Sequence, residues 1–359
     1  MYQLRTRKLV PSEFYGVYHG HDVDHLRTVF DQLVVSKRRA GRDIRVVWLA
    51  GDSSLDNKFW LNSATSQVPA CNGMELILKP PTSVADVAAH LNSVIASERS
   101  HRSSPGRRAP EYVCINCSVE ESTIGMRKKG QVLLPQDEFL KARVVPGDVV
   151  VVSLGGNDIA LKPTACTIFS MGWLTACSSH ANVVNGTAWG LGAMESLVVD
   201  DLSLYLRNIL SPLTQQQSVD GVVSLPVVAA ANALEPPKRT IVLPCMIYYP
   251  DENAAATSWA NVTLGAIGYN KTPAKVQAII DRIATVATAS INAEALGLTG
   301  ATAHVEVVPL STALDGKRTD DYVARVEPSV SGGRRMAELI WNTIKNASAD
   351  PTRGENARH

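Results

Sequence analysis

The chain has 359 residues, of which 45% are hydrophobic and 19% charged, and its formal net charge at pH 7 is +1. These values are ordinary for a globular protein, and the length allows one large domain or two small ones. A charge so close to zero gives no indication of nucleic acid or an anionic membrane as a partner. No apolar run approaches the roughly 20 residues of a membrane span, and no secretory signal follows the basic N-terminus. We therefore expect a cytoplasmic protein.

Two groups of residues could bind a metal ion. Cys114 and Cys117 form a CxxC, but no second CxxC or histidine pair completes a zinc site, so buried reduced thiols are expected. His19, His21 and His25 are interleaved with aspartates, which is also what a polar, aspartate-capped helix start looks like. A metal role for the histidines is the weaker alternative. We expect no metal and no cofactor.

Strand-like and helix-like segments alternate along the chain. Strands are predicted at residues 44–50, 112–116, 148–154, 240–245 and 303–309, and helices at 22–39, 82–97, 188–210, 275–295 and 333–345. Several strands are apolar at nearly every position, which is typical of a parallel sheet covered by helices on both faces. We predict an α/β fold with about five parallel strands. It would form a single domain over residues 1–345, with an insertion at about 162–236 and a disordered tail at 346–359.

Two polar turns follow predicted strands. Residues 51–53, Gly-Asp-Ser, follow the first strand, and residues 155–158, Gly-Gly-Asn-Asp, follow a strand with four consecutive valines. Right-handed crossovers place the carboxyl ends of parallel strands at the same rim of the sheet, where open α/β sheets bind their ligands. Ser53 and Asn157 are therefore expected to lie close together.

These two turns, at this spacing, resemble the first and third of the four sequence blocks of the SGNH (GDSL-type) hydrolases, which are spread over most of the chain. The resemblance implies a flavodoxin-like three-layer α/β/α sandwich that hydrolyses an acyl or acetyl ester of a small molecule. It also implies that Ser53 is the nucleophile and that the Asn157 amide donates to the oxyanion. No Gly-x-Ser-x-Gly sequence surrounds Ser53, so an α/β-hydrolase is a poorer match.

The chemistry of acyl transfer is consistent with these roles. A tetrahedral oxyanion needs preorganised N–H donors, each worth about 3 kcal/mol of barrier, and the Ser53 backbone and the Asn157 amide can supply two. The second block of the family carries a glycine that contributes a further backbone N–H. In this chain Glu121 stands at that position, five residues after Asn116, which ends a predicted strand.

The fourth block differs from the family, which has Asp-x-x-His-Pro-Ser there. Pro328 and Ser329 keep the register, so Glu327 stands at the histidine position and Ala324 at the aspartate position. An ordinary glutamate is a weaker base than histidine by about 2 pKa units, although burial can raise its pKa. We expect Glu327, or else Asp321, to act as an imperfect base. His304, the nearest preceding histidine, is expected to pack at the sheet.

Further residues near the two turns are candidate substrate-binding groups: Asp52, Lys58, Gly156 and Asp158. Asp52 could instead shape an Asx turn. Lys58 could meet an anionic substrate or lie on the surface of a helix start.

Two functional hypotheses follow. The first is a serine ester hydrolase that uses Ser53, Asn157 and Glu327 or Asp321. The second is a catalytically inactive SGNH-like protein whose pocket binds a ligand or a protein partner. The sequence gives no indication of the oligomeric state.

Overall fold

The computed structural model describes residues 6–62, 65–101, 110–128, 130–160, 174, 178–215 and 238–349. A parallel sheet forms the middle layer, with the spatial order β4-β1-β5-β6-β7 and with β8 also pairing with β6. Its strands are β1 (Ile44–Gly51), β4 (Glu111–Asn116), β5 (Val149–Ser153), β6 (Thr240–Met246), β7 (Ala303–Val305) and β8 (Val308–Pro309). Two antiparallel pairs lie outside this sheet: β2 (Gln67–Pro69) with β3 (Thr82–Val84), and β9 (Tyr322–Val323) with β10 (Glu327–Pro328).

The strand order is that of flavodoxin-like sheets, because β1 lies inside the sheet between β4 and β5. From β1 the chain continues to β4 on one side, and from β5 it continues to β6 on the other side. This reversal leaves a crevice at the carboxyl ends of β1 and β5. The predicted α/β class and flavodoxin-like sheet are confirmed.

Helices cover both faces of the sheet. They are α1 (Pro11–Phe14), α2 (Val23–Phe30), α3 (Ser36–Arg39), α4 (Val87–His101), α5 (Pro135–Lys141), α6 (Gly156–Ala160), α7 (His180–Val184), α8 (Leu191–Ser196), α9 (Leu202–Gln215), α10 (Asn261–Ala266), α11 (Pro273–Ser290) and α12 (Val330–Ala349). Single π-helical segments, Asp31–Val35 and Leu197–Asp201, join α2 to α3 and α8 to α9.

Alternate strand residues pack into two separate apolar cores, as the two-residue period of a strand requires. Val46, Trp48 and Ala50 of β1 face a core that includes side chains of α2, α5, α9 and α11. Val47 and Leu49 face the opposite core, which α4 and α12 cover. The three predicted layers are therefore helices, sheet and helices.

The predicted elements differ from the structure in a few places. The helix predicted at 82–97 begins later, at Val87, because Thr82–Val84 pairs with Gln67–Pro69 as a strand. Asp86 caps this helix by accepting the Ala89 N–H at 2.7 Å. The last predicted strand is broken into β7 and β8.

The last helix extends to Ala349, so the first residues of the predicted tail at 346–359 are helical, while residues 350–359 lie outside the described part. Residues 162–173, 175–177 and 216–236 of the predicted insertion also lie outside it. That residues 1–345 form a single domain stays a prediction. Among the helices that the structure describes, none combines the length and apolarity needed to cross a bilayer.

Candidate active site

The end of β1 places Ser53 at the crevice. Gly51 has a φ of +137°, and a Cβ there would lie 1.8 Å from the Ser153 carbonyl oxygen, so only glycine fits. The Asp52 N–H then donates to that same oxygen at 3.0 Å, which fixes the turn to β5. Asp52 Oδ1 accepts the backbone N–H of Ser54 at 3.0 Å, the Asx turn that its position allowed.

Asn157 lies at the start of α6, on the neighbouring strand end. Its Nδ2 donates one hydrogen bond to the Ser122 carbonyl oxygen, at 3.2 Å. Because a side-chain amide carries two hydrogens, this bond orients the group and leaves the second hydrogen for another acceptor. Asn157 and Ser53 line the same cavity.

Glu121 adopts a backbone conformation that favours glycine. Its φ is +58°, which few residues other than glycine adopt readily, and it stands at the position of the family's glycine. Its carboxylate accepts a hydrogen bond from the Tyr18 hydroxyl. In the described part of the chain, no acceptor receives the backbone N–H of Glu121 or that of Ser53. Both N–H groups therefore remain able to donate to a ligand.

Glu327 lies on β10 beside Ser53, and its side chain is almost entirely buried. Burial raises the pKa of its carboxyl well above the ordinary value, and the negative charges of Glu120 and Asp52 raise it further. A hydrogen bond from the Ser53 side chain lowers this pKa and partly offsets the rise. Glu327 Oε2 has no hydrogen-bond partner among the described residues. The group is thus a proton-binding carboxyl next to the candidate nucleophile.

Glu120 is a second buried carboxyl near the site and was not among the site residues predicted from the sequence. Its Oε1 accepts the indole N–H of Trp60 at 3.0 Å, whereas its Oε2 has no partner among the described residues. Burial raises its pKa to about 8, and burial likewise raises the pKa of Asp52 to about 6. The only sequence signal was the position of Glu120 directly before Glu121.

Asn57, five positions along from Asp52, connects the turn that carries Ser53 to two other elements. Its Nδ2 donates to the Pro328 carbonyl oxygen at 3.0 Å, and its Oδ1 accepts the Val87 N–H at 3.1 Å. Pro328 directly follows Glu327, so Asn57 holds the β9–β10 hairpin and the start of α4 against the turn that carries Ser53.

Three of the predicted site residues make contacts that lie away from Ser53. Lys58 is buried in an ion pair with Asp56, at 2.5 Å, and is not available to an anionic substrate. Asp158 accepts the backbone N–H groups of Ile124, at 2.8 Å, and Gly125, at 2.9 Å. Asp321 accepts the Ser331 hydroxyl at 2.6 Å and pairs with Arg335. These contacts hold the second and fourth blocks in place.

Two of the three histidines that could have bound a metal have other partners, whereas the buried Nδ1 of His25 has no hydrogen-bond partner among the described residues. His19 Nδ1 lies 3.2 Å from the Glu120 carbonyl oxygen. His21 stacks on Phe14, with 4.1 Å between ring centroids, and its Nδ1 lies 2.8 Å from the Phe14 carbonyl oxygen. His304, which was expected to pack at the sheet, pairs with Glu306 at 3.0 Å. No group of three or more histidine, cysteine or carboxylate side chains within the described ranges has the arrangement of a metal site.

A cavity of about 120 Å³ opens beside Ser53, Asn157 and Glu327. Polar groups at the strand ends line one part of it: Asp52, Ser53, Ser153, Gly156, Asn157 and Glu327. The rest of the lining comes from apolar side chains, mainly of β6, α10 and α11. The cavity occupies the crevice at the carboxyl ends of β1 and β5, as the strand order requires.

Comparisons with known proteins give structural likenesses only. No family model and no curated protein matches the chain. Among solved structures, the lipase Lip_vut3 from a goat rumen metagenome is 11% identical, with a TM-score of 0.42, over 83% of this chain and 96% of its own. A lipase/acylhydrolase from Enterococcus faecalis is 14% identical, with a TM-score of 0.35, over 84% and 96% of the two chains. An inhibitor-bound M. smegmatis aryl esterase is 11% identical, with a TM-score of 0.37, over 84% and 99%.

These identities and TM-scores are low, so the function of this chain has to be inferred from its own side chains. What the chain itself provides is a flavodoxin-like strand order, with a Gly-Asp-Ser turn after β1 and a Gly-Gly-Asn-Asp turn after β5 on the same rim. In fold, the chain is similar to the SGNH-type hydrolases.

Proposed function

We propose that this protein hydrolyses carboxylic esters of small molecules, with Ser53 as the nucleophile and Glu327 as the base. The observation that carries the proposal is that Ser53, Asn157 and Glu327 line one cavity, with the Ser53 hydroxyl beside a buried carboxyl. Nucleophilic catalysis by serine requires such a base next to the hydroxyl, together with donors for the oxyanion.

In the first half of the reaction, the ionised Glu327 carboxylate takes the Ser53 proton while Oγ attacks the acyl carbon. The backbone N–H groups of Ser53 and Glu121 and the Asn157 amide donate to the oxyanion of the tetrahedral intermediate. The Glu327 carboxylic acid then gives its proton to the departing alkoxide, and an acyl-serine remains. In the second half, Glu327 takes a proton from water while the water oxygen attacks the acyl carbon. Glu327 then gives this proton to Ser53 Oγ as the bond between Oγ and the acyl carbon breaks, which releases the acid and restores both side chains.

A glutamate base changes the electrostatics of this reaction. A histidine base becomes a cation next to the oxyanion, whereas Glu327 becomes a neutral acid, so one negative charge moves from Glu327 to the substrate oxygen. The Glu120 and Asp52 charges raise the proton affinity of Glu327, which makes its carboxylate a stronger base than an ordinary glutamate. Because the same effect raises the pKa of Glu327, only a small fraction of this side chain is ionised at neutral pH.

Hydrolysis of p-nitrophenyl acetate and p-nitrophenyl hexanoate, measured at pH 8.5 to 9, tests the proposal. Ser53→Ala is expected to lower kcat/KM by on the order of 10³-fold or more. Ser97→Ala, on the exposed face of α4, serves as the matched control and is expected to keep the wild-type rate. A fluorophosphonate probe should also add its mass to Ser53 in the wild type. Equal background rates in all three proteins, with no labelling, would refute the proposal.

The second candidate function is a catalytically inactive protein that binds a ligand in the same cavity. The raised pKa of Glu327 favours it, since a protonated carboxyl accepts no proton from Ser53. Ala324, at the position of the family's aspartate, offers no carboxylate to support a base. The labelling experiment separates the two candidates, because a binding protein would leave Ser53 unmodified at every pH.

A cytoplasmic location is part of the proposal. Its support is that Cys71, Cys114, Cys117 and Cys245 are free thiols, as expected in a reducing compartment.

A further inference from the structure

The apolar part of the cavity is formed by elements outside the four sequence blocks. Met194 of α8 and Val198 of the following π-helical segment contribute to it, as do Ile279 and Ile283 of α11. All four side chains are buried in the larger apolar core. The cavity therefore extends from the strand ends into a region whose described lining is mostly hydrocarbon.

Charge is confined to one part of the cavity. Asp52 and Glu327 are the charged residues among its described lining, and both belong to the segments that carry the candidate catalytic groups. A ligand with one polar, reactive group and a long apolar portion matches this distribution, because the apolar portion needs no hydrogen-bond partner.

Gly156 lies where the polar and apolar parts meet. A Cβ on this residue would lie 3.1 Å from Ile247 Cδ1 and 3.9 Å from Asp52 Oδ2. Any larger side chain would therefore fill space between the nucleophile turn and the apolar lining. The glycine keeps the passage between the two parts open.

We propose that the apolar part binds the acyl chain of the substrate, so that the protein acts on esters of medium-length or long aliphatic acids in preference to acetyl esters. This inference rests on the proposed ester hydrolysis at Ser53. An acetyl group would leave the apolar lining exposed to water, whereas each added methylene transfers hydrocarbon from water to that lining. Burying one methylene changes binding by about fourfold.

Kinetics on a series of esters tests the preference. For the wild type, kcat/KM is expected to rise at least about tenfold from p-nitrophenyl acetate through the hexanoate to the decanoate. Ile283→Phe fills the apolar part and is expected to lower the decanoate rate at least about tenfold while the acetate rate stays within about twofold. Val184→Phe, on the exposed side of α7, is the control and should leave the series unchanged.

Thermal unfolding confirms that each variant is folded before its rates are compared. If Ile283→Phe does not fold, Val198→Phe at another position of the apolar lining replaces it. A wild type that prefers acetate, or a folded Ile283→Phe protein with an unchanged ratio of decanoate to acetate rates, would overturn the inference.

Binding of octanamide distinguishes this inference from the proposed function. The amide is neutral, so the carboxyls at the strand ends do not repel it, and calorimetry detects its binding without any reaction. Octanamide is expected to bind the wild type and Ser53→Ala alike, at least about tenfold more tightly than acetamide, and to lose this advantage in Ile283→Phe. Binding without hydrolysis would refute the enzyme and leave the acyl site standing. Hydrolysis with no preference for octanamide would refute the acyl site alone.

Discussion

The Tyr18 hydroxyl donates a hydrogen bond to Glu121 Oε1 at 2.8 Å, while the Glu121 backbone has a φ of +58°. The residue thus keeps the backbone of the family's glycine, and its carboxylate is held by Tyr18 instead of lining the cavity. This arrangement turns the negative side chain away from the proposed oxyanion site.

Replacing Glu121 tests this interpretation. Glu121→Gly suits the positive φ, so kcat/KM is expected within about twofold of wild type and the free energy of unfolding within about 1 kcal/mol. Glu121→Val places a β-branched residue at the same φ and is expected to lose about 1–3 kcal/mol of stability. Urea unfolding measures both. A tenfold loss of activity in the glycine variant would show that the carboxylate itself takes part in catalysis.

The pH dependence of hydrolysis should follow Glu327. Since the reaction needs the carboxylate and its pKa lies well above the ordinary value, kcat/KM is expected to rise about tenfold per pH unit from pH 6 towards alkaline pH. Glu327→Gln should lower the rate by on the order of 10²-fold or more and remove this slope. A wild-type profile that is flat above pH 5.5 would mean that Glu327 has an ordinary pKa or is not the base.

Restoring the family's residues should move the reaction to neutral pH. In the double variant Ala324→Asp, Glu327→His, the histidine has an ordinary pKa of about 6.5 and the aspartate can orient it. Aspartate also tolerates the positive φ of 48° at position 324 better than most residues do. We expect kcat/KM at pH 7 to rise at least about tenfold, and to vanish when Ser53→Ala is added. A folded double variant that is slower than wild type at pH 7 contradicts the prediction.

A buried ion pair supports the second block. Arg127 Nε donates to Asp137 Oδ2 at 2.8 Å, and the Tyr205 hydroxyl donates to Asp137 Oδ1 at 2.7 Å, with both charged side chains fully buried. Asp137→Asn leaves the guanidinium without its counter-charge and is expected to cost about 3–5 kcal/mol, measured by urea unfolding. Asp200→Asn, at an exposed position of the π-helical segment Leu197–Asp201, is the control and should cost under about 1 kcal/mol.

Stability should change with pH in the opposite direction to activity. Burial raises the pKa of Asp86 to about 7 and that of Glu120 to about 8, so the folded state binds more protons than the unfolded state at neutral pH. Stability is therefore highest at the lower pH and is lost as the pH rises through these values. These two carboxyls alone would lower the free energy of unfolding by about 3 kcal/mol between pH 6.5 and 8.5. His21 and His90, whose pKa values burial lowers, are partly protonated at pH 6.5 in the unfolded chain only, and they oppose this fall by under about 1 kcal/mol. We therefore expect a net fall of about 2 kcal/mol. A constant or rising stability would contradict it.

The sheet was predictable because its strands are continuous apolar runs that end in glycine-containing turns. Ser53 and Asn157 could be placed on one rim from the order of elements alone. The start of α4 was not predictable in the same way, because Thr82–Val84 forms a strand only through its pairing with Gln67–Pro69, a contact distant in sequence.

The chemical environment of the candidate site was less accessible. The register predicted Glu327 at the position of the base, but not that Glu120 would be buried close enough to influence its pKa. Lys58 was expected to face either a substrate or solvent, and its buried pairing with Asp56 depends on a turn that the sequence does not specify. Burial of a charged side chain follows from tertiary packing, which no local pattern reports.

The two hydrogen bonds of Asn57 have a consequence for how the site moves. The Asn57 amide joins the turn that carries Ser53 to the Pro328 carbonyl of the β9–β10 hairpin and to the first turn of α4. None of these three segments can therefore shift without breaking a buried hydrogen bond. Amide hydrogens of the nucleophile turn, the β9–β10 hairpin and the start of α4 should therefore exchange with solvent through one common opening event. Ser53 and Glu327, the proposed nucleophile and base, would then be brought together, or separated, in a single event.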